Sequence, residues 1–461
     1  MSSTIYKTLA STPIEVVGGE GAWLHGAGGE RILDTCGGVC VSSLGHRHPG
    51  MIEAMRAGAG EVAWAHAGSF TCAAAEELAD FLVARSGGLA KVQFLSGGSE
   101  AMELALKVAY QYHCERGEPE RSVFVARRQG YHGSTLGTLA ISGNRDRRSV
   151  FEPLLMRTEF VSPCYAYRGK APGESDADYA ARLADELDEA MRAIGPGRVA
   201  GFLAEPVVGS TNGAVPAVPG YFEAVRRVCD RHGALLILDD VMSGMGRSGP
   251  LYSHLEDGIV PDIVAVGKGL AAGYQPISGY LLAQHVFDAI RDGSGVLRNG
   301  QTHVNHPFAC AVALAAQRII EEEDLLPIAA AHGRRMRALL EETFANHPFV
   351  GDVRGRGLFL GVELVADRET REPLDGGGAL VAELKRRALA RELLIYPGSG
   401  TADGVRGNHV LFAPPFVATP DEISEMVSRF AEVLADARPA LEAAARAPAH
   451  ARGRAPRGGT P

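Results

Sequence analysis

The chain has 461 residues, 46% of them hydrophobic and 22% charged, and a net charge of −9. That length exceeds one small core and leads us to expect a large domain with a smaller one, while the acidic balance argues against broad nucleic-acid binding through phosphate neutralisation. No apolar run approaches the roughly 18 residues of a membrane span. The opening MSSTIYKTLASTPIEVVGG lacks a signal-peptide core, and the seven cysteines include no CxxC pair, so free thiols in a reducing cytoplasm are expected.

In chain order, residues 15–60 read as short strands and Gly-rich turns. Cys36-x3-Cys40 lacks a second pair, and His46 and His48 in GHRHPG are spaced for neither a zincin helix nor a zinc finger, so structural roles and no metal site are expected. From 60 to 320, short β-branched runs alternate with longer Ala/Leu/Glu/Arg segments, the pattern of an α/β layer fold with a mostly parallel sheet. A helix is predicted over 99–113, where Met102, Ala105, Ala109 and Tyr112 fall close to one face. Strands are predicted at SVFVAR (122–127), VAGFLAE (199–205), ALLILDD (234–240) and DIVAVG (262–267). Near 325 the pattern changes. A helix-rich stretch leads into GDVRGRGLFLGVELV (351–365), a strand pair around a glycine turn, then HVLFAPPF (409–416) and a last helix from about Thr419. The Pro/Gly/Ala/Arg-rich end, 445–461, has almost nothing to bury and reads as a disordered tail.

One residue stands apart. The chain has only six lysines among its 46 basic residues, and Lys268 sits where an apolar run meets glycines in DIVAVGKGLAAGYQP. A phosphate-binding P-loop is excluded by spelling, since Asp262 and Gly269 occupy positions that need Gly and Ser or Thr. Taken alone, a structural lysine snorkelling to water is the commoner reading. The sharper one is a Schiff-base lysine, whose neutral amine attacks an aldehyde. Pyridoxal 5'-phosphate (PLP) would then make three further demands. A carboxylate must hold the pyridine nitrogen protonated, and Asp239 ends an apolar strand 29 residues earlier; such an aspartate is also an ordinary strand cap. A helix N-terminus must cradle the phosphate, and FLSGGSEAME provides Gly97, Gly98 and Ser99, which equally make a plain turn and N-cap. An aromatic must flank the ring, and RQGYHGSTLGT offers Tyr131 and His132 in a Gly-flanked loop, where surface packing is the usual role.

These features, in this order, resemble the class III (omega-type) aminotransferases of the fold type I PLP enzymes. The matching stretches include SGGSEAMELALKVA, YHGSTLGTLAIS, AEPVVG, LDDVMSGMGRSG, VGKGLAAGYQPISG and THVNHPFACAVALA, within roughly residues 15–435. The resemblance implies a large domain, 61–325, with a seven-stranded, mostly parallel sheet sandwiched by helices. A small α+β domain would draw on both termini, 1–60 and 326–440, and 441–461 would be tail. It implies that Lys268 forms the imine with PLP and shuttles a proton, and that Asp239 pairs with the pyridinium. Gly98 and Ser99 would hold the phosphate, Tyr131 and Val241 would cover the two ring faces, and His132 would border the ring. Glu205 would stand on the substrate side, near a mobile arginine. Thr302 would complete the phosphate cup of the partner subunit in an obligate homodimer with shared sites.

Departures from the family pattern bear on substrate. Met242 stands where many relatives have Gln, Asp240 where they have Glu, and Cys40 where some amine transaminases have Trp. His303, with Asn305 nearby, replaces a usual aromatic; these two polar groups could face substrate or pack in a dimer interface. Arg406, in an inserted loop before Pro414-Pro415, is the candidate carboxylate clamp, or else a solvated loop residue. The implied activity moves an amino group between a primary amine or omega-amino acid and a 2-oxo acid of the pyruvate or 2-oxoglutarate type. The alternative is a non-transaminating PLP enzyme on the same scaffold: a racemase, decarboxylase or carbon–carbon bond former.

Overall fold

The computed structural model describes residues 3–6, 9 and 12–446. Its centre is a seven-stranded sheet. The spatial order is Leu89–Leu95, Ser278–Ala283, Ile263–Val266, Leu235–Asp239, Val199–Ala204, Val123–Arg127 and Thr158–Val161. Ser278–Ala283 pairs antiparallel with both neighbours, and the other pairings are parallel. Val199–Ala204, Leu235–Asp239 and Ile263–Val266 are buried at every position. Helices cover both faces of a parallel sheet, so its central strands carry continuous apolar runs rather than alternation. The four strands predicted from sequence all form, each shortened by one or two residues at its ends.

The helix predicted over 99–113 runs from Gly98 to Glu115 and buries Met102, Ala105, Ala109 and Tyr112, as its periodicity requires. Its start is set by Glu100, whose carboxylate accepts the amides of Ser96 (3.1 Å) and Gly97 (3.2 Å). This turns the helix N-terminus toward the carboxyl ends of the central strands, where ligands bind in open α/β sheets.

A second core is formed by Met336, Leu360, Val362, Phe412, Phe430 and their neighbours, and it includes Ala22 and Leu33. Its sheet has Val350–Arg356 and Phe359–Asp367 as a hairpin, joined by Asn408–Phe412 and Tyr396–Ser399. A separate sheet of Val16–Glu20, Trp23–Gly26 and Arg31–Asp34 is extended by Leu393–Leu394. The N-terminal stretch therefore packs with C-terminal residues only in part. Leu44 and Met51 belong to the large core, and the helix Pro49–Ala59 lies against Pro307–Glu322. A division at residue 60 is too late, because the apolar face of that helix is covered by the large domain. The expected tail boundary at 441 is also corrected. Helix Arg438–Arg446 continues past it, anchored by fully buried Leu441; the rest of the expected tail, 447–461, lies outside the described residues. Among the described residues, no helix is long and apolar enough to cross a membrane.

The two cores are joined by buried charge. Glu363, fully buried, takes hydrogen bonds from Tyr165, from Arg168 (Nε, 2.6 Å) and from Arg354 (Nη1, 2.5 Å), while Arg354 also donates to the carbonyls of Asn212 and Gly213. Arg247, also buried, donates to the Pro414 carbonyl at 2.6 Å and lies over the Phe416 ring. A buried guanidinium persists only where several acceptors surround it.

Candidate active site

Lys268 leaves the sheet through Gly267 and begins a single 3-10 turn, Lys268–Ala271. Its φ of +46° is in the left-handed region, which costs a non-glycine residue about 1 kcal/mol or more. Gly267 allows this path, since a Cβ there would lie 3.2 Å from Val241 Cγ1. The strained turn delivers the lysine to a cavity of about 180 Å³ that it lines with Gly98, Ser99, Tyr131, His132, Glu205 and Asp239. Gly133, Val241 and Met242 complete the wall.

Asp239 is the last residue of its strand and is buried. Its Oδ2 lies 2.9 Å from His132 Nδ1, and its Oδ1 accepts the amide of Val241 at 3.2 Å. A carboxylate only accepts, so His132 carries its proton on Nδ1. The His132 amide donates to Ser142 Oγ at 2.8 Å, which fixes the loop, and its Nε2 is buried with no partner among the described residues. His132 is therefore held edge-on to Asp239, whereas stacking on the ring was one expectation for it.

Gly98 and Ser99 open the long helix. A Cβ at 98 would approach Val241 Cγ1 to 2.9 Å, so only glycine gives the backbone this clearance. Ser99 Oγ accepts the amide of Ser134 at 3.1 Å and ties the helix start to the Tyr131 loop. Gly133, with φ +139°, makes that approach possible: a Cβ there would be 2.8 Å from Ser99 Oγ. Sequence reasoning did not single out Gly133, although it stands inside the quoted YHGST stretch. The first helical amides have no intrahelical acceptors and carry the positive end of the helix dipole.

Glu205 accepts the amides of Tyr131 (3.0 Å) and Gly209 (2.9 Å), and Arg127 donates to its carbonyl. Burial pushes its carboxyl above the usual range. Those amides occupy both carboxylate oxygens. On the same side, Met242 and Cys40 pack with Val207, Ala214, Leu411 and Tyr396. Burial raises the Cys40 thiol to about 11, so it behaves as a small apolar wall residue. It ends a run, Gly37 to Cys40, in which every φ is positive, a conformation that strains Val39 and Cys40. Asp240, next to the site, is spent on Ser243 and Ser253 and serves the fold rather than the cavity.

Arg406, His303, Thr302 and Asn305, all singled out from sequence, do not line this cavity, and neither does Cys40, which is buried in the cluster with Met242. Arg406 donates to Asp403 (3.0 Å) and Glu372 (3.1 Å) at the surface, so the inserted loop consumes the proposed carboxylate clamp. His303 lies beside His306 in a separate cavity bordered by Ser96 and Gln275. Thr302 is exposed in the preceding turn. Asn305, offered as substrate-facing, instead accepts the Phe94 amide at 3.0 Å and pins that turn to the sheet.

The model of the family "Aminotransferase class-III" matches residues 6–434. The chain belongs to the class-III aminotransferases. An uncharacterized aminotransferase of Schizosaccharomyces pombe is 40% identical, with 95% of each chain covered. Gamma-aminobutyrate transaminase 1, mitochondrial, of Oryza sativa subsp. japonica is 31% identical over 92% of this chain and 81% of its own. A crystal structure of the omega transaminase from Pseudomonas jessenii in complex with PMP superposes with a TM-score of 0.89 at 31% identity, covering 96% and 98% of the two chains.

As a class-III aminotransferase the protein uses PLP. The donor set fits that group. The cavity offers an amine, a buried carboxylate oriented by an imidazole, and a glycine-lined helix end for a phosphate. These are the three chemistries that PLP presents at its aldehyde, ring nitrogen and phosphate.

Proposed function

We propose that this class-III aminotransferase transfers an amino group from a primary amine or omega-amino acid to a 2-oxo acid of the pyruvate or 2-oxoglutarate type. The observation that carries the reading is the convergence of Lys268, the Asp239–His132 pair and the Gly98–Ser99 helix end on one cavity lined by Met242, which packs in an apolar cluster with Cys40. Bound PLP supplies an aldehyde and an electron-withdrawing ring that takes up charge developing on the substrate carbon. Lys268 Nζ would be the amine that engages the aldehyde and the group placed to carry a proton to and from the nitrogen-bearing carbon of the donor, as base and then acid. Asp239 holds the ring nitrogen protonated, and His132 Nδ1–H keeps the carboxylate aimed. Gly98 and Ser99 amides bind the phosphate. Tyr131 and Val241 cover the ring faces and exclude water. Glu205, neutralised in part by its two amide donors, shapes the substrate side.

Thr302, exposed and outside its own cavity, supports the further reading that it serves a second subunit in a homodimer. In the test, purified holoenzyme receives an amine with no oxo acid. Transamination converts the visible cofactor band to that of the amine form once per site, and pyruvate or 2-oxoglutarate restores it. A visible band that persists with every amine, or conversion retained in Lys268→Ala, refutes the proposal.

A further inference from the structure

Arg406 cannot serve as carboxylate clamp while it is paired with Asp403 and Glu372, yet the site has an unspent guanidinium on its other side. Arg147 lies in the short helix Arg145–Arg148, started by Asn144, whose side chain accepts the Arg147 amide at 3.2 Å. Its Cζ stands 4.2 Å from the centroid of the Tyr131 ring, and its charge lies close enough to act on the Tyr396 hydroxyl. Tyr131 lines the Lys268 cavity; Tyr396 packs on Cys40 and Met242. Arg147 thus bridges the two walls of the substrate side.

The buried arginines around the site are committed. Arg127 donates to the Glu205 carbonyl, Arg148 to the carbonyls of Leu139 and Ser142 and to Glu152, and Arg247 to Pro414. Arg354 is bound to Glu363. Among the described residues, no carboxylate lies within salt-bridge distance of Arg147. Stacking on Tyr131 fixes the guanidinium plane, and partial burial strips water from it. An oriented and partly desolvated guanidinium with free donors is built for bidentate contact with a carboxylate.

We propose that Arg147 is the specificity-determining residue that binds the distal carboxylate of an omega-amino acid donor. The inference rests on the aminotransferase reading above and names its substrate class. Met242 lines the cavity beside Lys268 and is backed by an apolar cluster that includes Cys40, so a carboxylate attached directly to the reacting carbon meets no cation there. A carboxylate several methylenes away passes that wall and reaches Arg147 between the two tyrosines. Apolar methylenes match the apolar wall, and the charge matches the guanidinium.

The test compares 4-aminobutanoate and 5-aminopentanoate with n-butylamine and n-pentylamine in the amine half-reaction of the holoenzyme. In Arg147→Gln, kcat/KM for the amino acids falls by about tenfold to a hundredfold, the worth of a charge-assisted contact, mostly through KM. The alkylamines change by less than about twofold, and Arg147→Lys recovers part of the loss. Tyr396→Phe keeps the packing, removes the hydroxyl that neighbours the guanidinium, and gives a smaller loss of the same selectivity. A second readout needs no turnover: pentanoate raises the Tm of wild-type holoenzyme and fails to do so in Arg147→Gln. Equal losses for both amine classes, or pentanoate stabilisation unchanged in Arg147→Gln, overturn the inference while leaving the aminotransferase reading intact. Wild-type holoenzyme that converts with no amine refutes that reading instead, and the pentanoate arm still decides the role of Arg147.

Discussion

Replacing Gly98 with Ala tests whether backbone clearance at the helix start governs cofactor binding. The new Cβ would lie 2.9 Å from Val241 Cγ1 and 3.4 Å from Cγ2, against the ~3.5 Å at which carbon contacts become favourable. Val241 cannot swing aside, because its χ1 is stiff and its amide is tied to Asp239 Oδ1 at 3.2 Å. Gly98 has no positive φ, so the backbone itself accepts alanine. Two effects compete: alanine favours a helix by at most about 1 kcal/mol, and overpacking costs about 1–3 kcal/mol. Overpacking wins by about 1–2 kcal/mol, and the strain falls on the junction of phosphate cradle and ring wall. The PLP dissociation constant, read by absorbance titration of apoprotein, should rise by about 5- to 30-fold. Gly98→Ala with Val241→Ala should recover most of that loss, with a coupling of about 1–2 kcal/mol in the double-mutant cycle. A Gly98→Ala protein that binds PLP as tightly as wild type, or a double variant equal to the sum of its singles, would falsify this account of the cradle.

Three further outcomes follow from the same geometry. His409 is fully buried, its Nδ1 lies 2.7 Å from Thr401 Oγ1, and burial holds its imidazole down at about 3. The unfolded chain binds this proton near pH 6.5 and the folded chain does not, so stability present above pH 6.5 is lost as pH falls toward 3, by about 1.4 kcal/mol per unit. Urea titrations from pH 7 to 5 should therefore show a shallower decline in His409→Gln; parallel curves would count against it. Arg354→Met leaves Glu363 buried with Arg168 and Tyr165 only, and should cost about 3–5 kcal/mol, read as a lowered urea midpoint. Arg406→Ala should change kcat/KM for every donor by less than about twofold, because its guanidinium serves a surface loop; a selective loss on carboxylate donors would return it to the site.

Much of the site was written in short contiguous stretches. An apolar run ending in Asp239, another running into Gly267-Lys268, and Gly97-Gly98-Ser99 ahead of a periodic helix each specify a local geometry. The sheet then brings them together, because the strands that form or precede these three stretches, Leu89–Leu95, Leu235–Asp239 and Ile263–Val266, run the same way and end on the same side. The strands and the long helix were legible for a similar reason: burial on two faces, or on one, leaves a pattern in the text.

What the text withheld depends on partners far away in sequence. Arg406 and Arg147 are the same residue type, each with an aspartate close by in sequence, Asp403 and Asp146, yet only Arg406 pairs with its neighbour. Asp403 and Glu372 decide the first, and Tyr131 with Tyr396 the second. His132 becomes the orienting partner of Asp239 only when its loop meets a strand end 107 positions away. Leu44 and Met51 join the large core because a helix from residues 307–322 covers them. Sequence by itself determined which backbone could form and where an amine, an acid and an anion cradle would converge. Tertiary structure alone decided which charges were neutralised, since electrostatic pairing acts through space and carries no signature along the chain.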